Sequence, residues 1–359
     1  MSYSPIDKPT DFFNSVLYSG NGSTQSITGV GFQPDFIWQK ERSSTSYHVV
    51  TDVVRGNTKQ LFPNDTSEDV TSSNYITSFN SDGFGQGQNN DTNENSQTYV
   101  SWNWKAGTSV SGNTTGSGTA KAYTGSVNTT AGFSIIKYIG NDNASQTVPH
   151  HLGATPSMVI VKNLDAAVDG WMVYHKDIES GKNNLLNDAA MPYNSSATGY
   201  TKGINGVPTS TNLTFVSGST SNQNVCGNNV NYIAYCFAQK KGYSKFSSYT
   251  GNGNADGTFV YTGFKPAFVM VKGVTSGPYW TIIDNKRTSS GFNPIDKWLY
   301  PNGSDAELNA SSYPNDFLSN GFKIRTTGSY FNSSGVSYIY MAFAEAPLVG
   351  SNFVPNNAE

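Results

Sequence analysis

One strand recurs three times in this chain. "YVSWNW" begins at Tyr99, "YIAYCF" at Tyr232 and "YIYMAF" at Tyr338. Each alternates with the period of two that a β-strand imposes. One face carries Val100, Trp102 and Trp104, or Ile339, Met341 and Phe343 in the last copy. The other carries a Tyr followed mostly by small residues. Large side chains on one face predict a core, and small ones opposite admit a second layer. Burial of those six large residues is the test of the alignment. Cys236 shares a column with Asn103 and Ala342, which predicts packing rather than catalysis or metal binding.

Other landmarks keep step. "YSGNG" at Tyr18, "YIGND" at Tyr138 and "YTGNG" at Tyr249 are strands ending in a Gly-Asn turn. "GFQPDFIWQK" (31–40), "GATPSMVIVK" (153–162) and "GFKPAFVMVK" (263–272) follow, with Pro where a strand begins and Lys where it ends. The Tyr-to-Pro spacings are sixteen, eighteen and seventeen residues. "LFPN" (61–64), "LLND" (185–188) and "LYPN" (299–302) come next, then "SDGF" (81–84), "NLTF" (212–215) and "SNGF" (319–322). A period of roughly 110–120 residues is too long for a solenoid, so these are tandem domains.

The expected fold is all-β: three tandem β-sandwich, jelly-roll-like domains of one repeat family, with extended N- and C-terminal arms. The boundaries are an arm over 1–10, repeat 1 over 11–105, a Gly/Ser/Thr linker or strap over 106–125, repeat 2 over 126–239, repeat 3 over 240–346 and a tail over 347–359. Composition agrees. Of 359 residues 36 are Gly, 13% are aromatic and only 13% are charged, a mixture poor in helix formers. The net charge of −3, without a basic run, argues against nucleic acid as a partner. No apolar run approaches the ~20 residues of a membrane helix. The N-terminus lacks the basic-then-apolar layout of a secretory signal, so Cys226 and Cys236 are expected as free, packed thiols of a protein made in a cytoplasm.

Candidate chemistry is sparse. His150 and His151 are adjacent in a loop of one copy, which does not suit zinc ligands, and they are expected on the surface. His175 aligns with Asp52 and Asp284, but no acid recurs beside that column, so a polar strand end is expected. "NNDTNEN" (89–95) has the oxygen spacing of a calcium loop without its Gly or distal Glu, and reads as a solvated hairpin tip. Tyr18, Tyr138, Tyr249, Trp38, Trp171 and Trp280 recur in register and belong to the core rather than to sugar platforms. Aromatics outside those columns, Tyr193, Tyr200, Trp298, Tyr330 and Phe331, are the candidates for exposed contacts. No catalytic, cofactor-binding or metal residue is assigned, and the chain reads as a non-enzymatic protein.

The set "IDKPTDFFN…LYSGNG…GVGFQPDFIWQKERS", "FNSDGF", "SQTYVSWNWKAG" and "YIYMAFAEAPLVGSN" resembles a family of virion proteins of tailed bacteriophages of marine and aquatic bacteria, cyanobacteria included. The likeness spans nearly the whole chain and is weakest in the middle repeat. It implies a structural protein displayed on the particle surface, as a capsid decoration, fibre or tail-associated protein, that aids particle stability or host adsorption. Its expected partners are other virion capsid or tail proteins, further copies of itself and a host surface glycan, with neither nucleic acid nor membrane insertion. Its expected location is the virion, assembled in the host cytoplasm. The terminal arms are expected to dock on neighbours by strand addition. The alternative is a carbohydrate-binding module that recognises host glycans.

Overall fold

The computed structural model describes residues 4–349 other than 144, 168, 179–181, 189–192, 195–202, 205, 217–224, 275–277 and 312–313. It is built almost entirely of antiparallel strands, and its one α-helix among the described residues is the four-residue turn Asn90–Asn93. Each repeat has an inner sheet with one spatial order: opening strand, closing strand, Lys-ended strand, fourth strand. In repeat 1 these are Phe13–Ser19, Thr98–Trp104, Phe36–Glu41 and His48–Asp52. In repeat 2 they are Phe133–Ile139, Asn231–Phe237, Met158–Asn163 and Met172–His175. In repeat 3 they are Ser244–Thr250, Ser337–Pro347, Phe264–Gly273 and Thr281–Asp284.

The register is the same in all three. Phe36 pairs with Trp104, Met158 with Phe237 and Phe268 with Phe343. A slip of one residue would turn every side chain to the wrong face, so the alternation itself fixes the pairing. The recurrent tyrosines also pair: Tyr18 with Tyr99, Tyr138 with Tyr232 and Tyr249 with Tyr338. Their rings stack at centroid distances of 5.1, 5.3 and 5.1 Å.

A smaller sheet covers the tyrosine face of each inner sheet. Its strands include Gln25–Thr28, Gly83–Gln86 and Ile76–Asn80 in repeat 1, and Phe259–Tyr261, Gly321–Ile324 and Asn315–Leu318 in repeat 3. Gln146–Pro149 and Asn212–Val216 are the central pair of the repeat 2 sheet. Between the layers lie three private cores, containing Ile27, Ile37 and Phe84, then Tyr138, Val159 and Phe215, then Tyr249, Val269 and Phe322.

Val100, Trp102, Trp104, Ile339, Met341 and Phe343 are all buried, as the alternation predicts. They do not fill their own sandwiches. The large-residue faces of the three inner sheets meet in one common core. Trp104, Phe237 and Phe343 occupy the same column and touch in a triangle, at 6.4, 5.5 and 6.1 Å between centroids. A pseudo-threefold axis runs through them. An alternating strand declares which face is buried, but not whether the cover comes from its own repeat or from another.

Two segments differ from expectation. The Gly/Ser/Thr stretch 106–125 is paired structure: Thr108–Asn113 lies against Ala122–Asn128 on the edge of the repeat 2 inner sheet, and Thr115–Gly116 joins its outer sheet. Short polar side chains suit an exposed edge strand as well as a linker. The N-terminal segment is not an extended arm over its described part. Ser4 Oγ donates to the Lys241 carbonyl, Ile6 enters the common core, and Pro9–Asp11 forms a 3-10 turn. An apolar residue beside an open core end gains more by closing it than by reaching outwards.

The Gly of each Gly-Asn turn is set by close approach. A Cβ at Gly20, Gly140 or Gly251 would stand 2.1, 2.2 or 2.3 Å from the carbonyl oxygen of Glu94, Gly227 or Ser333. The next residue's N–H is held by Asn93 in repeat 1 and Asn332 in repeat 3. In repeat 2 Gln146 holds it, with the buried thiol of Cys226 donating to the same Gln146 oxygen at 2.8 Å. Gly251→Ala is expected to cost about 1–3 kcal/mol. The check is a lower urea midpoint at unchanged m-value.

Candidate functional site

The seams between repeats hold buried polar contacts that repeat cyclically. Asp52 at the end of the repeat 1 fourth strand accepts from the Tyr235 hydroxyl of repeat 2 at 2.8 Å. Asp284 of repeat 3 accepts from Trp102 Nε1 of repeat 1 at 2.9 Å. His175 of repeat 2 reaches the Tyr340 carbonyl of repeat 3 through Nε2, at 3.1 Å. Each repeat thus grips the closing strand of the next, and the third grips the first. Asp52 is paired with Arg55 at 2.6 Å, and Arg55 also meets Asp69 at 2.9 Å. Asp284 is paired with Arg287 at 2.6 Å, and Arg287 meets Glu307 at 3.1 Å. In repeat 2 Ile178 replaces the arginine and packs in the common core. Where Met341 has no donor to offer, the seam uses a neutral His and an apolar neighbour in place of the ion pair.

Burial pushes the His175 pKa down to about 4. The unfolded side chain titrates near 6.5, so as pH falls the unfolded state takes up the proton first. The stability supplied by neutral His175 is complete above pH 6.5 and is lost as pH falls towards 4. His175→Gln is expected to remove that loss, on the order of 3 kcal/mol, from the stability–pH curve. Urea unfolding of both proteins at pH 7 and pH 4.5 checks it.

The column starting the fourth strand makes a second cyclic set. Its residues are His48, Trp171 and Trp280, and their N–H groups are held by Asn64, Asn187 and Asn302 at 2.9, 2.8 and 3.0 Å. Those asparagines align "LFPN", "LLN" and "LYPN", which moves the repeat 2 landmark by one residue. Trp171 Nε1 donates across its seam to the Phe62 and Asp65 carbonyls, and Trp280 Nε1 to the Leu185 carbonyl. His48 accepts from Trp38 Nε1 at 2.9 Å on one ring nitrogen, and its ring also reaches the Tyr300 backbone of repeat 3 across its seam. The lysines ending the third strand, Lys40, Lys162 and Lys272, are all buried, and burial lowers each to about 8. Among the described residues Lys162 Nζ has three carbonyl acceptors, Thr66 of repeat 1 among them, whereas Lys40 Nζ has the Glu41 carbonyl alone.

Several expected placements change. His150 is buried and His151 half-buried, not surface residues; His175 ends its strand as expected, and it and His48 are buried. His150 is held between the Thr209 carbonyl and the Leu152 N–H, and His151 meets the Tyr123 hydroxyl. The segment 89–95 is a capped helical turn, not a solvated tip. Asn93 is fully buried, and both Asp91 oxygens are taken, by Ser46 and Tyr75. Among the described residues no three His, Cys, Asp or Glu side chains are placed to hold a metal ion. Cys226 and Cys236 are free and buried. Trp298 and Phe331, expected as exposed contacts, are buried together at 5.0 Å in the repeat 3 core. Tyr330 is half-buried and stacks on Tyr300. Tyr200 and the side chain of Tyr193 lie outside the described residues.

Two surface clefts combine aromatic and polar groups. One, of about 650 Å³, is formed by repeat 3 alone, with Phe292 (73% exposed) beside Lys265, Asn285 and Glu345. The other, of about 640 Å³, lies on the seam where repeat 3 meets repeat 1, beneath Tyr47 and Tyr279. Its loops cross through Ser46 N–H to the Ser304 carbonyl at 2.9 Å and through the bidentate Arg42–Glu307 pair. Tyr47, Tyr279 and Phe292 escape the sequence reading. The available signal was that Tyr precedes the His/Trp column in repeats 1 and 3 but Gly170 does so in repeat 2.

This geometry defines a class: an all-β protein of three sandwich repeats fused around a common core, with a cleft on one seam. The chain belongs to the family described as Domain of unknown function (DUF7483), which it matches over residues 8–347. No curated protein and no solved structure matches it.

Proposed function

We propose that this chain is a bacteriophage virion structural protein displayed on the particle surface, where it serves particle stability or host adsorption. The observation that carries this reading is what the recurrent residues do. The tyrosine stacks, the Trp104–Phe237–Phe343 triangle and the cyclic seams all spend the repeated chemistry on holding one body together. A single chain with three like faces around one axis suits attachment at a symmetric point of a particle. The sequence likeness to virion proteins gives the reading its direction. Residues 4–10 dock on their own chain, so attachment to other virion proteins falls to other surfaces. Mass spectrometry of gradient-purified particles is expected to find the chain at structural copy number, with cryo-EM density on the exterior. Its absence from purified particles overturns the reading.

A further inference from the structure

We propose that the cleft on the seam between repeats 3 and 1 is a binding site for neutral saccharides. The site exists because the seams are not equivalent. At the other two, an indole crosses to the preceding repeat and donates to its loop carbonyls. At this one the position is His48, a smaller ring that accepts from Trp38 Nε1 and reaches the Tyr300 backbone of repeat 3 without the bulk of an indole. The loop after Tyr300 lines the cleft through Asn302, Gly303, Ser304 and Asp305.

What lines the cleft is matched to a sugar. Tyr47 and Tyr279 are 44% and 40% exposed, unusual for tyrosines in a chain that buries most of its aromatic rings. Each is backed by an aromatic ring of its own repeat, Phe62 at 5.2 Å and Tyr300 at 5.4 Å. They are therefore positioned platforms, not loose side chains, and a pyranose C–H face gains by covering such rings. Asn64 and Asn302 use their carbonyl oxygens inward, on the N–H groups of His48 and Trp280. That fixes both amide orientations and leaves two NH₂ groups without protein partners among the described residues. The Asp305 carboxylate accepts no hydrogen bond there and remains as an acceptor. A set holding donors, an acceptor and two ring faces fits hydroxyls, which need both kinds of partner.

Charge narrows the class. Asp65, Asp91 and Asp305 line the cleft, and no Lys or Arg does. Uronates and other acidic sugars would meet like charge, so neutral hexoses and N-acetylhexosamines are the ligands. The Phe292 cleft has Lys265 and Lys286 on its wall and lacks a second platform.

The inference deepens the adsorption part of the display reading, but its test uses purified full-length chain and is independent of the particle. An array of neutral hexose and N-acetylhexosamine oligosaccharides, with matched uronate-containing ones, is probed first, and calorimetry follows on the strongest binder. Neutral oligosaccharides are expected to bind. Tyr279→Ala and Tyr47→Ala are each expected to weaken binding at least tenfold with an unchanged urea midpoint, and Phe292→Ala to leave it unaltered. Asp305→Asn, at an exposed side chain, is expected to weaken binding severalfold whether or not the tyrosine variants fold. No binding to the neutral set, preference for the uronates, or binding that survives the Tyr and Asp305 changes overturns the site. A chain that binds sugar but is missing from particles would overturn only the display reading.

Discussion

Arg287→Ala is expected to destabilise the protein by about 3–5 kcal/mol, although it removes a charged residue and no apolar core. Asp284 lies fully buried beneath the seam, and Arg287 is its ion-pair partner at 2.6 Å. Without the guanidinium the carboxylate is left in low dielectric with only the Trp102 N–H and two backbone N–H groups, from Lys286 and Arg287. Stranding one charge of a buried pair costs far more than the intact pair contributes. Arg287 also stands over the Trp102 ring at 5.4 Å and bonds the Ile282 carbonyl, so packing is lost as well. Repeat 2 supplies the control. Its His175 and Ile178 occupy the same two positions, and His175 Nδ1 accepts the Asp177 N–H as Asp284 accepts that of Lys286. The double change Asp284→His, Arg287→Ile removes the stranded charge and is expected to recover part of the loss, with the Trp102 N–H, which has no counterpart on Met341, left without its acceptor. Urea midpoints of the single and double variants decide it. Equal losses in both would mean that the stranded charge is not the cause.

The seams show where sequence reading stops. Val100, Trp102 and Trp104 could be assigned to a buried face because a strand alternates with period two whatever covers it. The stacked tyrosines and the Lys-ended strands were legible for the same reason, since each is a column in one sheet. The cyclic contacts were not. Arg55 and Arg287 look like solvated charges in a polar loop until Asp52 and Asp284, three residues before each, are seen facing another repeat. Glycine and serine in 106–125 are as compatible with an edge strand as with a linker, and only the exposed edge of the inner sheet decides between them. Tyr47 and Tyr279 were hidden differently. Each stands one residue before the His/Trp column, and the cleft they share exists only where repeats 3 and 1 meet across their seam.

Trp104→Ala is expected to cost about 3–5 kcal/mol and to weaken all three repeats together. The ring of Trp104 touches Phe13 and Phe36 of its own repeat, Phe237 of the second, and Phe268 and Phe343 of the third. Removing it leaves a cavity that no single repeat can close, because the surrounding side chains are anchored on three different sheets. If the repeats were independent sandwiches, the loss would fall on repeat 1, and the others would keep their wild-type protection. With a shared core, hydrogen exchange of the closing strands Asn231–Phe237 and Ser337–Pro347 should accelerate by the same free energy as that of Thr98–Trp104. The complementary experiment isolates residues 240–349. Alone, that repeat keeps its private core around Tyr249 and Phe322 but exposes Phe246, Phe268, Met270, Met341 and Phe343 to water. Such a face is expected to leave it unfolded or associated, not a stable monomer. A monomeric repeat with a cooperative transition near that of the whole chain would show that the common core is dispensable. The pseudo-threefold body would then be an assembly of self-sufficient domains rather than a single folding unit.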